Sequence, residues 1–213
     1  MERRCFDCTI RSIDGDSFNV EGIASPFNKR SLNLGYEDYK VFEVMKPGAF
    51  KNAIERSDTI ALFNHDPNFV LGRSSAGTLS LTETEAGLKA LINTQREGAI
   101  KDLVLTPMQR GDIKGMSIGF TIDDMEIREV KEGDEVYLLR EISRIGSLVD
   151  VSVVTFPAYP DTTVHTNDFQ NAKNDVIKYI TERQAKELVS IRLSEEADLY
   201  RQRQMNLKLK FGV

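Results

Sequence analysis

The run Leu148-Val149-Asp150-Val151-Ser152-Val153-Val154-Thr155-Phe156 constrains this chain more than any other stretch. It is β-branched and apolar at successive positions, on what would be both faces of an extended segment. It therefore reads as a central, buried strand. Aspartate is disfavoured in such a setting. A buried carboxylate needs a hydrogen-bonding or charged partner, because stranding it costs several kcal/mol. A histidine ring N–H is one suitable partner for Asp150, and an arginine such as Arg140 or Arg144 is another.

The surrounding sequence supplies the other strands. From about residue 4 to about 165, short β-like runs alternate with Gly, Pro, Asn and Asp. The runs are Phe18–Ala24, Val41–Met45, Thr59–Phe63, Thr78–Leu81, Gly87–Thr94, Gly115–Ile127, Val136–Ile142 and Leu148–Phe156, with a further strand reading through Cys5–Ile10. Two short helices interrupt them. One covers Gly48–Arg56, entered through Pro47. The other covers Glu97–Leu105, with Ile100, Leu103 and Val104 on one face and Pro107 expected to end or kink it. From Asp168 to about Met205, Val176, Ile177, Ile180, Leu188, Ile191, Leu193 and Leu199 recur at near-helical spacing without Gly or Pro, predicting one or two amphipathic helices. The expected fold class is mainly β with helices (α+β), with a β domain over residues 1–165 and a helical tail over 166–213.

Composition narrows the function. The chain has 213 residues and a net charge of −5 without a basic stripe, which argues against nucleic acid as the main partner. No apolar run is long enough to span a bilayer. Met1-Glu2-Arg3-Arg4-Cys5 carries positive charge but no apolar stretch behind it, so it is not a secretory signal, and work in the cytoplasm is expected. Cys5 and Cys8 form a CxxC pair, but zinc wants four ligands and the two histidines, His65 and His165, lie far away. Odd spacing on a strand also points the two thiols to opposite faces. Ordinary reduced thiols, with no metal and no cofactor, are the expectation.

Two further segments carry candidate chemistry. In Ile113-Lys114-Gly115-Met116-Ser117-Ile118-Gly119-Phe120, a strand sends Met116, Ile118 and Phe120 to one face and Gly115, Ser117 and Gly119 to the other. A hydroxyl cleared on both sides suits the approach of a substrate carbonyl; a β-bulge or barrel corner with an incidental serine is the competing reading. In Ala61-Leu62-Phe63-Asn64-His65-Asp66-Pro67, an apolar strand ends at a histidine and Asp-Pro turns the chain. An imidazole there is well placed for a group that must be aimed, although a histidine near a turn is more often a polar surface residue. The spelling Gly115-x-Ser117-x-Gly119, with the order Ser117, Asp150, His165, also matches the nucleophile elbow of α/β-hydrolase esterases. That elbow requires a helix directly after the serine, and Phe120–Ile127 looks extended.

Together these segments resemble one family, the prohead maturation proteases of tailed phages, regarded as relatives of the herpesvirus assemblins. The resemblance covers about residues 4 to 164. It rests on Leu62–Pro67 with Leu71-Gly72-Arg73, on Gly111–Phe120, and on Val151–Thr162, with Phe18–Ser25 and Pro47-Gly48-Ala49-Phe50 fitting as well. It implies a closed assemblin-like β-barrel with surrounding short helices and Ser-His proteolysis. The family's histidine carries over to His65 and its serine to Ser117. Its third position, typically Glu, is Asp150 here. Assemblins use a second histidine, which makes His165 the alternative, but His165 follows the Pro-Asp-Thr turn, so Asp150 is preferred. The resemblance also implies capsid-assembly substrates (scaffolding protein, the scaffolding-like part of the major capsid protein, and the protease itself), a homodimer, and a place within the assembling procapsid in the host cytoplasm. The tail after Asp168 would hold the protease in the procapsid and later be trimmed. The rival function is a non-catalytic capsid-assembly protein, which predicts Ser117 and His65 to lie apart.

Overall fold

A computed structural model describes residues 2–6, 10–13, 19–35, 40–94, 98–155 and, within 174–194, all but 176, 188 and 193; for 2–6 and 10–13 it describes the backbone alone. The chain divides into two compact units, Met1–Ala172 and Lys173–Val213.

The first unit is mainly β. In chain order it holds β1 (Glu2–Phe6), β2 (Ile10–Ile13), β3 (Asn19–Pro26), β4 (Lys40–Met45), α1 (Lys51–Arg56), β5 (Ile60–Phe63), β6 (Asp66–Arg73), β7 (Leu79–Thr84), β8 (Gly87–Asn93), a π turn (Lys101–Leu105) running into α2 (Thr106–Arg110), β9 (Gly115–Glu132) and β10 (Glu135–Val154). One sheet runs β1-β9-β10-β5-β6, and the other runs β2-β3-β8-β7. β10 is 20 residues long, enough for two strands to lie parallel to it in succession: β4 against Tyr137–Ile142 and β5 against Asp150–Val153.

Both sheets turn apolar side chains into one core. Val20, Ala24, Leu88, Ala90 and Ile92 come from the four-stranded sheet; Met116, Ile118, Phe120, Leu148, Val151 and Val153 come from the other. The closed barrel implied by the resemblance is not found: among the described residues both sheets are open, with β1 and β6 at the edges of one and β2 and β7 at the edges of the other. A shared core buries the apolar faces without a ladder joining the edges. Between β6 and β7 the chain passes from one sheet to the other through a tight turn, Gly77 N–H to Ser74 C=O at 3.0 Å, so the ladder ends there.

Several elements depart from the expectations for physical reasons. Val136–Ile142 and Leu148–Val154 of the two expected runs are parts of a single strand, β10, which stays paired to β9 across register shifts between Ile142 and Asp150; Phe156 lies outside the described residues. Such bulges bend a strand without ending it. The helix near Pro107 continues through it. A π turn precedes the proline, and Gly111 ends α2 in the left-handed region at φ 82°. Widening the helix by one residue relieves the missing proline N–H and rotates the apolar face. Val104 and Leu105 are buried in consequence, whereas Leu103 is half exposed. Of the strand read through Cys5–Ile10, Cys5 and Phe6 lie in β1 and Ile10 in β2, and Asp7, Cys8 and Thr9 lie outside the described residues.

In the second unit the described residues of 174–194 are helical, with Ile177, Val189 and Ile191 half or more exposed. Val176, Leu188, Leu193 and Leu199 lie outside the described residues. No helix among the described residues is long and apolar enough to cross a membrane.

The register between β4 and β10 places Glu43 beside Arg140, and both side chains are fully buried. Arg140 Nη1 donates to Glu43 Oε2 at 2.9 Å, and Nη2 lies 3.6 Å from the sulfur of Met125. Removing one partner of such a pair leaves a buried charge, which costs about 3–5 kcal/mol, whereas replacing both with apolar groups costs far less. Arg140→Ala is therefore expected to lower unfolding free energy in urea by about 3–5 kcal/mol, and the double variant E43M/R140L to recover most of that loss.

Candidate active site

Three paired strands position the candidate side chains. On β9, Met116, Ile118 and Phe120 enter the core, and Ser117 and Gly119 take the opposite face. Across the ladder, Ser117 lies opposite Ser152 and Gly119 opposite Asp150. Simple alternation along β10 would put Asp150 on the same side as Leu148, which is in the core. A bulge prevents this: Leu148 pairs with Phe120 and Asp150 with the very next residue, Gly119, so Val149 is an extra residue. The phase of the strand flips at that point, and Asp150 joins Ser117 and Ser152 on the polar face. Hydroxyls from the neighbouring segment anchor the bulge. Ser57 Oγ accepts from Leu148 N–H at 3.0 Å, and Thr59 Oγ1 donates to Leu148 C=O at 2.9 Å.

His65 arrives from the β5–β6 hairpin. The turn is Asn64-His65, between Phe63 and its partner Asp66, and not the expected Asp66-Pro67, which belongs to β6. Both turn residues have positive φ, 51° and 57°, the pattern of a type I′ hairpin. Asparagine is well suited to that conformation; histidine adopts it at a cost of about 1–2 kcal/mol, strain of the kind that collects at functional sites. Asn64 fastens the turn to the end of β10. Its N–H donates to Val153 C=O at 2.9 Å, its Oδ1 accepts from Thr155 N–H at 3.0 Å, and its Nδ2 donates to Thr155 Oγ1 at 3.2 Å.

The base of the same hairpin is held by Asp58. Its carboxylate accepts from Arg73 Nε at 2.8 Å and from Ser75 N–H at 3.0 Å. The Arg73 hydrogen bond first, and Ser75 second, lower its pKa to about 2. Gly72 precedes this arginine because a Cβ there would lie 2.7 Å from Thr78 C=O.

The three candidate groups meet. His65 Nε2 is 2.6 Å from Ser117 Oγ, and His65 Nδ1 is 2.6 Å from Asp150 Oδ1. A carboxylate can only accept, so Nδ1 carries the proton shared with Asp150, and the Nε2 lone pair faces the serine hydroxyl. The side chains of His65 and Asp150 are 5% and 4% exposed, and Ser117 has no exposed surface. Neither arginine is the partner of Asp150: Arg140 is bound by Glu43, and Arg144 Nε donates to Asp123 at 2.8 Å. His165 lies outside the described residues. β9 continues as strand to Glu132, so the helix required by the esterase elbow is missing, and that alternative is overturned.

Ser152 was not singled out from the sequence. Ser152 Oγ donates to Asp150 Oδ1 at 2.6 Å and lies 3.1 Å from His65 Nδ1. Its position two residues after Asp150, on the same face of a strand, was the available signal. Gly119, expected to leave room for a substrate carbonyl, instead leaves room for Asp150. A Cβ there would sit 2.2 Å from Asp150 Oδ2, so the carboxylate occupies the space a side chain would need. Chemically, the cluster can take a proton from a hydroxyl and hold the resulting imidazolium against a carboxylate. Among the described residues no cluster of His, Cys, Asp and Glu could hold a metal ion.

Gly119→Ala is expected to expel the Asp150 carboxylate and lower the rate at which a fluorophosphonate labels Ser117 by about two orders of magnitude, comparable to misplacing a reacting group by an ångström; intact-mass kinetics on the purified variant checks this. Asp58 gives a pH signature. Its carboxyl is depressed in the folded state, so its stabilisation is complete above the unfolded pKa of about 4 and disappears as pH falls to about 2. Melting temperature measured across that window should fall less steeply in Asp58→Asn than in the wild type.

The model of the family described as caudovirus prohead serine protease matches residues 6–175. The prohead protease of Enterobacteria phage HK97 is 27% identical over 146 residues, which cover 68% of this chain and 58% of the relative. The chain thus spans less than two thirds of that relative's length. No solved structure matches. With its serine, histidine and aspartate segments all inside the matched region, the chain belongs to the caudovirus prohead serine protease family.

Proposed function

We propose that this chain is a serine endopeptidase of prohead maturation, with Ser117 as nucleophile, His65 as general base and Asp150 as the carboxylate that orients the imidazole. The observation that carries this reading is the continuous chain of hydrogen-bond distances, 2.6 Å from Ser117 Oγ to His65 Nε2 and 2.6 Å from His65 Nδ1 to Asp150 Oδ1.

The steps follow from that order of atoms. Ser117 Oγ attacks the scissile carbonyl while its proton passes to His65 Nε2. The imidazolium gives this proton to the departing amine, leaving an acyl-enzyme, and a water deprotonated by the same nitrogen releases the acyl group. Asp150 keeps the ring in the required tautomer and stabilises its charged form. Because Ser117 has no exposed surface, a peptide reaches it only when the residues covering it move aside.

The substrates proposed are the scaffolding protein or the scaffolding-like part of the major capsid protein, and the protease itself, cut inside the procapsid in the host cytoplasm. Residues 1–165 would form the proteolytic domain. The tail, 166–213, would dock on scaffold or coat and be removed by self-cleavage, and a homodimer or higher assembly inside the procapsid is the proposed active form. The phage HK97 relative is named a prohead protease, which supports proteolysis in the prohead.

Co-expression with the cognate capsid protein, followed by gel and mass analysis, tests it. Wild-type chain should trim the capsid protein, and Ser117→Ala should reduce cleavage by at least about three orders of magnitude. Normal trimming by Ser117→Ala would overturn the reading and favour a non-catalytic assembly protein.

A further inference from the structure

We propose that Ser152 is a positioning residue for the Ser117–His65–Asp150 relay, a role that rests on the proteolytic reading above. The two serines face each other across the β9–β10 ladder, yet they meet opposite sides of one imidazole. Ser117 lies at Nε2, and Ser152 lies at Nδ1, beside Asp150. Ser152 is fully buried, and its hydroxyl donates to Asp150 Oδ1 at 2.6 Å. That oxygen is the same one that accepts from His65. Oδ2 is pressed against Gly119.

A carboxylate turns about a broad, nearly two-fold torsion, so burial alone does not decide which oxygen faces the ring. A hydroxyl donor that cannot move away, held by the strand ladder, does decide it. Ser152 is excluded as a nucleophile by the same bonds, because its hydrogen is given to Asp150 and the ring nitrogen it faces already carries a proton. By spreading part of the Asp150 charge onto its own O–H, it also sets how strongly the carboxylate holds the imidazolium. Among the described residues, His65 and Asp150 are the titratable groups in contact with it. The facing segments Ile60–Phe63 of β5 and Gly115–Phe120 of β9 contain no charged residue, and in register on β1 stand Glu2, Arg3, Arg4 and the titratable Cys5, opposite Phe120, Gly119, Ile118 and Ser117.

The test uses a fluorophosphonate on the full chain. Ser117 Oγ forms a bond to phosphorus, fluoride leaves, and His65 takes the hydroxyl proton; mass spectrometry follows the adduct. Ser117→Ala must abolish labelling, and persistence there would sink the proteolytic reading itself. With that control met, Ser152→Ala should keep the wild-type dependence on probe concentration, lose about tenfold in saturating rate, and shift the acid limb of the rate–pH profile to higher pH, since a less shared Asp150 charge holds the imidazolium more firmly. Ser152→Cys, similar in size but a weak donor, should fall between. Wild-type rate and profile in Ser152→Ala would overturn the positioning role alone. So would a variant that fails to fold, or one that slows without moving the acid limb, because either result assigns Ser152 to packing.

Discussion

A carboxylate held almost dry on the middle strand of a sheet sets the terms for everything around it. Asp150 lies on β10, which is paired to β9 on one edge and to β5 on the other. Burying such a group is costly unless donors surround it. The fold meets that requirement with an imidazole from one hairpin and a hydroxyl from two residues further along. Tying up both ring nitrogens fixes the tautomer, and the fixed tautomer gives Ser117 an acceptor for its proton. The electrostatic need of one group and the reactivity of another are therefore one arrangement.

Backbone devices deliver these groups more than side-chain packing does. The bulge at Val149 flips the phase of β10 so that Leu148 can enter the core and Asp150 can avoid it. The tight Asn64-His65 turn reverses the chain within two residues and presents the ring over the sheet. Asn64 ties that turn to the end of β10, and Asp58 with Arg73 clasps its other end. The His65 hairpin is thus gripped at both ends, which suits a ring that must be aimed to within a fraction of an ångström.

Much of this was legible in the residues, because period-two alternation is a strong signal wherever one face is apolar. It marked Met116, Ile118 and Phe120 as core and left Ser117 and Gly119 on the other side. Alternation failed where the backbone added or redirected a residue. Read plainly, it places Asp150 with Leu148. Turn chemistry likewise reads Asp66-Pro67 as the turn that Asn64-His65 in fact makes, and so hides β6. The π turn before Pro107 is likewise a change of period that no count of apolar spacing anticipates. The distinction between arginine and histidine as the partner of Asp150 was settled by strand order, because the register with β4 commits Arg140 to Glu43.

The glycine opposite that carboxylate changes the meaning of a familiar spelling. In a hydrolase elbow the glycines of G-x-S-x-G permit a sharp bend into a helix; here the second one leaves a vacancy that the acid of a neighbouring strand fills. Identical letters thus arise from unrelated steric demands. Positions 119 and 150 are consequently one unit of inheritance: a methyl at the first is tolerable only alongside a shorter group at the second. Among relatives, drift at either site should be legible as paired exchange and not as independent variation.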